Sequence, residues 1–200
     1  MNFLAHLALA APTHSSRVGN LMADFAKGTH ATLLEQFPLE VVNAMLMHRA
    51  LDHYTDQHPC FKKAKSLMLP EHRKFAGVVV DIFFDHFLSL HWQSYYSVDL
   101  DIFIDDCYSL LEQYPQWHSE LFIEIFPRMR SENWLACYRT KDGIQLTLQR
   151  VSQRSKYTQM IAECYTDFEV NYAELETIFL QFYPQLMDFS AAWIAKNRSN

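Results

Sequence analysis

Between Gly77 and Leu90 the chain runs Val78-Val79-Val80-Asp81-Ile82-Phe83-Phe84-Asp85-His86-Phe87-Leu88-Ser89. Wound as a helix, its apolar residues cover every side, so the segment is predicted to be buried. It nevertheless carries two carboxylates and an imidazole inward. Asp81 and Asp85 are four residues apart and share a face, with His86 one step round. A buried carboxylate without a partner costs several kcal/mol. It needs an Arg, a Lys or a metal ion beside it. Arg49 or Arg73 would give a buried ion pair; a metal would satisfy the same groups.

Only four glycines occur in 200 residues, too few for a sheet with its turns, and half of the residues are hydrophobic. The expected fold is therefore all-α: a compact helical bundle forming a single domain over 1–200, with no linker or repeat. Helices are expected over about 2–11, 17–27 (ending at Gly28), 38–56, 59–68, 71–94, 100–114, 117–139 with a break at Pro127, 143–163, and 166–196 with a break at Pro184. A net charge of −6 argues against a nucleic-acid partner. No window reaches the ~18 apolar residues of a membrane span. Residues 1–11 lack the basic start of a signal peptide and read as mature protein. Cys60, Cys107, Cys137 and Cys164 are scattered, which reads as reduced thiols in a cytoplasmic protein.

Three further segments bear on chemistry. In Met45–Asp56, His48 and Asp52 stand at i and i+4, able to offer a nitrogen and an oxygen to one ion, with Arg49 adjacent. A solvated face with one His–Asp hydrogen bond explains the same pattern. Asp24 interrupts the apolar turn Leu21–Phe25, and His6 stands among Leu and Ala. Each alone reads as an ordinary helix aspartate and a core histidine. Together, His6, Asp24, His48, Asp52, Asp81, Asp85 and His86 are too many to bury separately, and gathering them around one or two ions satisfies all. Imidazole with carboxylate suits Mn²⁺, Fe²⁺ or Zn²⁺; carboxylate and water alone would suit Mg²⁺. Such a bundle fits metal-assisted hydrolysis. There is no P-loop, G-x-S-x-G or dinucleotide fingerprint.

Met1-Asn2-Phe3-Leu4-Ala5-His6, Gly19–Phe25, Met47-His48-Arg49 with Asp52 and Thr55-Asp56, Asp81 with Asp85–Leu88, and His91-Trp92 resemble the acyl carrier protein phosphodiesterases. Glu132–Leu135, Tyr138-Arg139 and Gln181–Pro184 fit the same pattern, so the resemblance covers nearly the whole chain. It implies a divergent HD-type phosphohydrolase, Mn²⁺-dependent with Mg²⁺ or Fe²⁺ as alternatives. Such an enzyme removes the 4′-phosphopantetheine arm from holo acyl carrier protein. The adjacent His-Asp pair of HD enzymes is replaced here by Asp85-His86. Positions Asp24, His48, Asp52, Asp85 and His86 carry over, and Asp81 joins them in the expected metal set. Arg49 and Lys27 are expected to steady the phosphoryl oxygens. His53 or His6 would protonate the leaving serine oxygen, and Asp24 is essential to turnover. An acidic carrier protein calls for a basic docking patch: Lys62, Lys63 and Lys65 with Arg73 and Lys74, or Arg150, Arg154 and Lys156. A hydrolase of a small nucleotide or other phosphoester would use the same metal site without such a patch. A non-catalytic helical binding protein would need only ion pairs.

Overall fold

The segment rich in Val and Phe forms one helix, Ala76–Leu90, with eleven of its fifteen residues buried. The structure, a computed structural model, describes residues 1–197. Among these every regular element is helical, with no strand. In order the helices are α1 (Phe3–Leu9), α2 (His14–Met22), α3 (His30–Leu34), α4 (Leu39–Gln57), α5 (Pro59–Ser66), α6 (Ala76–Leu90) and α7 (Trp92–Tyr95). Then come α8 (Leu100–Gln113), α9 (Glu120–Ser131), α10 (Trp134–Cys137), α11 (Lys141–Ser152), α12 (Tyr165–Val170) and α13 (Tyr172–Asn197). Tight 3₁₀ turns occupy Pro70–Phe75, Pro115–Trp117 and Gln159–Cys164. No described helix is long and apolar enough to cross a membrane.

Helix α6 sits centrally, packed by α1, α5, α11 and α13. Phe84 meets Phe61, Phe179 and Phe182 at ring-centroid distances of 5.9, 5.7 and 5.5 Å. Truncating such a ring to Ala costs roughly 3–5 kcal/mol. Helix starts follow local chemistry. Thr13, Ser119 and Thr140 each accept a backbone N–H three residues on, and Pro59 opens α5 where no N–H is needed.

Several boundaries differ from the sequence expectation. The second helix ends at Met22, so Asp24 lies in a turn and Gly28 is no helix end. The expected helix over 71–94 begins as a 3₁₀ turn and stops at Leu90. Pro127 and Pro184 lie inside α9 and α13 and break neither. The breaks fall at asparagines instead. Asn133 adopts the left-handed conformation (φ 44°) and caps α10. Asn171 separates α12 from α13, its amide donating to the Leu67 and Asp167 carbonyls. Asparagine tolerates such geometry because its short side chain bonds locally to the backbone. The 143–163 expectation splits into α11 and a 3₁₀ turn.

Candidate metal centre and active-site cleft

Helix α1 needs partners for its first N–H groups. Asn2 accepts from the Phe3 N–H at 3.0 Å. Asp85, fully buried on α6, accepts from Asn2 at 3.2 Å and Leu4 at 2.8 Å. Asp81 Oδ1 lies 2.5 Å from the Met1 ammonium. Both α6 carboxylates thus hold the start of α1, where the helix dipole favours negative charge. Burial lifts the Asp85 carboxyl to about 7, against the pull of the Met1 ammonium and the two backbone N–H groups.

One turn further, α1 delivers His6 against α4. Its Nε2 lies 3.1 Å from Asp52 Oδ1, and His48 Nε2 lies 3.1 Å from Asp52 Oδ2. Asp24, in the turn after α2, is 3.6 Å from His48 Nε2. The spacing of α2 and α4 rests on Gly19. A Cβ there would sit 2.4 Å from the Val41 carbonyl oxygen and 2.6 Å from Ala44 Cβ.

Burial alone would raise the Asp52 carboxyl, but the hydrogen bonds from His48 and His6 outweigh it and hold Asp52 far below the carboxylate range. Burial and the neighbouring His48 charge push His6 down to about 3, so it is neutral at pH 7. Burial opposes protonation of His48, yet contacts with Asp52 and Asp24 raise its pKa overall. Burial also raises Asp24, partly offset by His48. Both imidazoles and Asp24 and Asp52 offer nitrogen and oxygen donors at short range, a mixture that fits a divalent transition ion.

Asp24, Asp52 and Asp81 open onto a cleft of about 200 Å³ that is also walled by Phe3, Val151 and Arg154. The other expected residues lie elsewhere. His86 turns to the Tyr138 carbonyl (2.7 Å) and the Tyr172 hydroxyl (2.9 Å) and does not join the cluster. Asp85 has both oxygens on the α1 backbone. His53 lines a separate cleft with Tyr54, His58 and Phe189. Arg49 is exposed and donates to the Gly28 carbonyl at 3.2 Å. Lys27 is exposed. Lys63 pairs with Glu174 and Lys65 with Asp56, while Lys62 donates to Gln57. Arg73 is exposed, and Lys74 shares a groove with Lys156 and Tyr157. A second buried group, His72, Cys164 and Asp167, was not anticipated. Its Asp167 is already met by the Leu69 N–H (2.7 Å) and by His72.

Arg154, expected on a surface docking patch, stands instead in the cleft wall beside these carboxylates. Sequence spacing offers no signal for that placement, since Arg154, in the turn after α11, lies about a hundred residues beyond Asp52.

The acyl carrier protein phosphodiesterase family model matches residues 1–186. A protein of that name from Enterobacter sp. strain 638 is 37% identical over 188 residues, covering 94% of this chain and 96% of its own. Its namesake from Escherichia coli O6:H1 is 38% identical over 194 residues, with the same coverage. Another, from Photorhabdus laumondii, is 36% identical over 189 residues, covering 94% of each. No solved structure matches the chain. With likeness running from the His6 helix into α13, this chain belongs to the acyl carrier protein phosphodiesterase family.

Proposed function

We propose that the chain hydrolyses the phosphodiester joining 4′-phosphopantetheine to the serine of holo acyl carrier protein, leaving the apo protein, with a divalent ion, Mn²⁺ first among candidates. The observation that carries this is the convergence of His6 and His48 on Asp52, with Asp24 on His48, beside a cleft that Asp24 and Asp52 line, in a chain of this family. His6, His48, Asp24 and Asp52 would hold the ion. When bound, it would lower the pKa of a water and offset charge on a phosphoryl oxygen.

The residues divide the remaining work. Asp52 stays anionic and stands between the two imidazoles, one oxygen beside each Nε2, so that it and both ring nitrogens would face the same ion. Asp24 is open to the cleft and burial raises its carboxyl pKa, so its oxygen turned away from the ion would be suited to receive a proton. Arg154 presents a planar cation to the phosphoryl oxygens, the part that sequence had given to Arg49. Neither His53 nor His6 fits the acid for the serine oxygen. The first lies in another cleft, and the second, with a pKa of about 3, holds no acidic proton at pH 7. The HD-type kinship is part of this reading, but the place expected for Asp85-His86, which bond elsewhere, passes to His48 and Asp52, four apart on α4.

Asp24→Ala tests the reading. It should abolish release of the arm while the helical circular-dichroism signal persists. Normal turnover by that variant would contradict it.

A further inference from the structure

A second cleft of about 380 Å³ continues from the first, sharing Asn2, Phe3, Val151 and Arg154 as common wall. Beyond them it is lined by Ile125 on α9, Trp134, Tyr138, and Thr147 and Arg150 on α11. Its volume falls within the ~300–1,000 Å³ of small-molecule sites. Gly143 brings α11 hard against α10: a Cβ there would meet the Cys137 carbonyl oxygen head on.

Charge is distributed unevenly along this passage. Arg128 and Arg150 are both spent on Glu132, at 2.9 and 2.8 Å. Trp134 donates its indole N–H to the same carboxylate at 2.9 Å. Arg154, at the junction of the two clefts, makes no ion pair with any described residue. The free cation therefore stands beside Asp24 and Asp52, and the second cleft is lined by rings, aliphatic groups, the paired Arg128 and Arg150, and the exposed carboxylate of Glu124 on α9. Tyr138 is 1% exposed and lines the deeper cleft, and its hydroxyl has no hydrogen-bond partner among the described residues. Burial keeps that hydroxyl protonated, hence a donor.

We propose that the deeper cleft seats the pantetheine arm, with its phosphate at Arg154 and an arm amide carbonyl accepting from the Tyr138 hydroxyl. This rests on the function proposed above. The arm's chemistry matches the walls: a phosphate at one end, then a gem-dimethyl group and methylenes for Phe3, Ile125, Trp134 and Val151, with amides between. Placed so, the scissile phosphorus lies at the junction, over Asp24 and Asp52.

The test compares the full Mn²⁺-loaded chain with Thr147→Trp, which fills the deeper cleft, and Arg154→Ala at its mouth. Circular dichroism confirms folding of each; Ile125→Trp fills the same space from α9 if Thr147→Trp fails to fold. Two readouts are taken: release of the arm from holo acyl carrier protein, and calorimetric binding of free 4′-phosphopantetheine with AMP in parallel. Both substitutions should weaken phosphopantetheine binding and raise KM by about tenfold or more. Wild-type binding and turnover by Thr147→Trp would overturn the cleft assignment alone. A wild-type protein that is folded and metal-loaded yet leaves the arm in place would overturn the enzymatic reading and the cleft with it. AMP bound as tightly as phosphopantetheine, and lost in Thr147→Trp, would overturn the arm in favour of a nucleotide.

Discussion

The His6 and His48 rings stack 3.7 Å apart and 19° from parallel, each reaching a different oxygen of Asp52. Two imidazolium ions so close would repel by about 4 kcal/mol at an effective dielectric of 20. The pair therefore settles with His6 neutral and His48 as the ring that takes a proton. A divalent ion bound to both ring nitrogens removes that conflict, because a metal ligates neutral imidazole.

Metal binding should therefore stabilise the fold. At a free ion concentration of ~100 times Kd the gain is ~2.7 kcal/mol, a rise in Tm of about 5–10 °C for a chain of this size. Thermal melts with Mn²⁺ and with chelator check it, and the rise should vanish in His48→Ala. Equal melting in both conditions for the wild type would favour a purely structural ion-pair cluster.

Gly19 sets how closely the turn bearing Asp24 approaches the helix bearing His48 and Asp52. Gly19→Val should cost roughly 1–3 kcal/mol through overpacking. It should also weaken Mn²⁺ binding, because Asp24 is displaced from His48. Calorimetry showing unchanged metal affinity would separate this contact from the site.

Asp85 holds its proton up to about pH 7 in the folded chain, whereas an unfolded aspartate releases it near pH ~4. Between those values the native state binds more protons, so its stability falls as pH rises. Asp85→Asn removes the titration. In metal-free protein, the urea-denaturation free energy of the wild type relative to this variant should decline from about pH 4 to about pH 7, by at most ~1.4 kcal/mol per pH unit. A flat difference across that window would mean that Asp85 is ionised throughout.

Lys74 and Lys156 line one groove, joining two stretches that are far apart in sequence. An acidic carrier protein docking there should be sensitive to charge reversal. The double variant Lys74→Glu/Lys156→Glu should raise KM severalfold with little change in kcat. Unchanged steady-state constants would exclude this face.

The all-α fold was legible because helix periodicity and scarce glycine leave little else. His48 and Asp52 were legible as a pair because i and i+4 share a face whatever the neighbours are. Helix α6 was the harder case. A helix that is apolar all round announces burial but not which face meets which neighbour. Asp85 and His86, adjacent in sequence, end at different partners: the α1 backbone for one, Tyr138 and Tyr172 for the other. His53 is likewise one residue from Asp52 and opens onto another cleft. Pro127 and Pro184 were misleading because a proline inside a packed helix forfeits a donor without ending the helix. Arg154 and Tyr138 reach the site through tertiary packing alone.

The most direct measurement is the intact mass of holo acyl carrier protein after incubation with the wild-type chain, once with Mn²⁺ and once with chelator. Loss of the phosphopantetheine mass with Mn²⁺ and its retention with chelator is the expected result. Full retention with Mn²⁺, by protein shown to be folded and metal-loaded, would contradict the proposed activity and favour a small phosphoester as substrate.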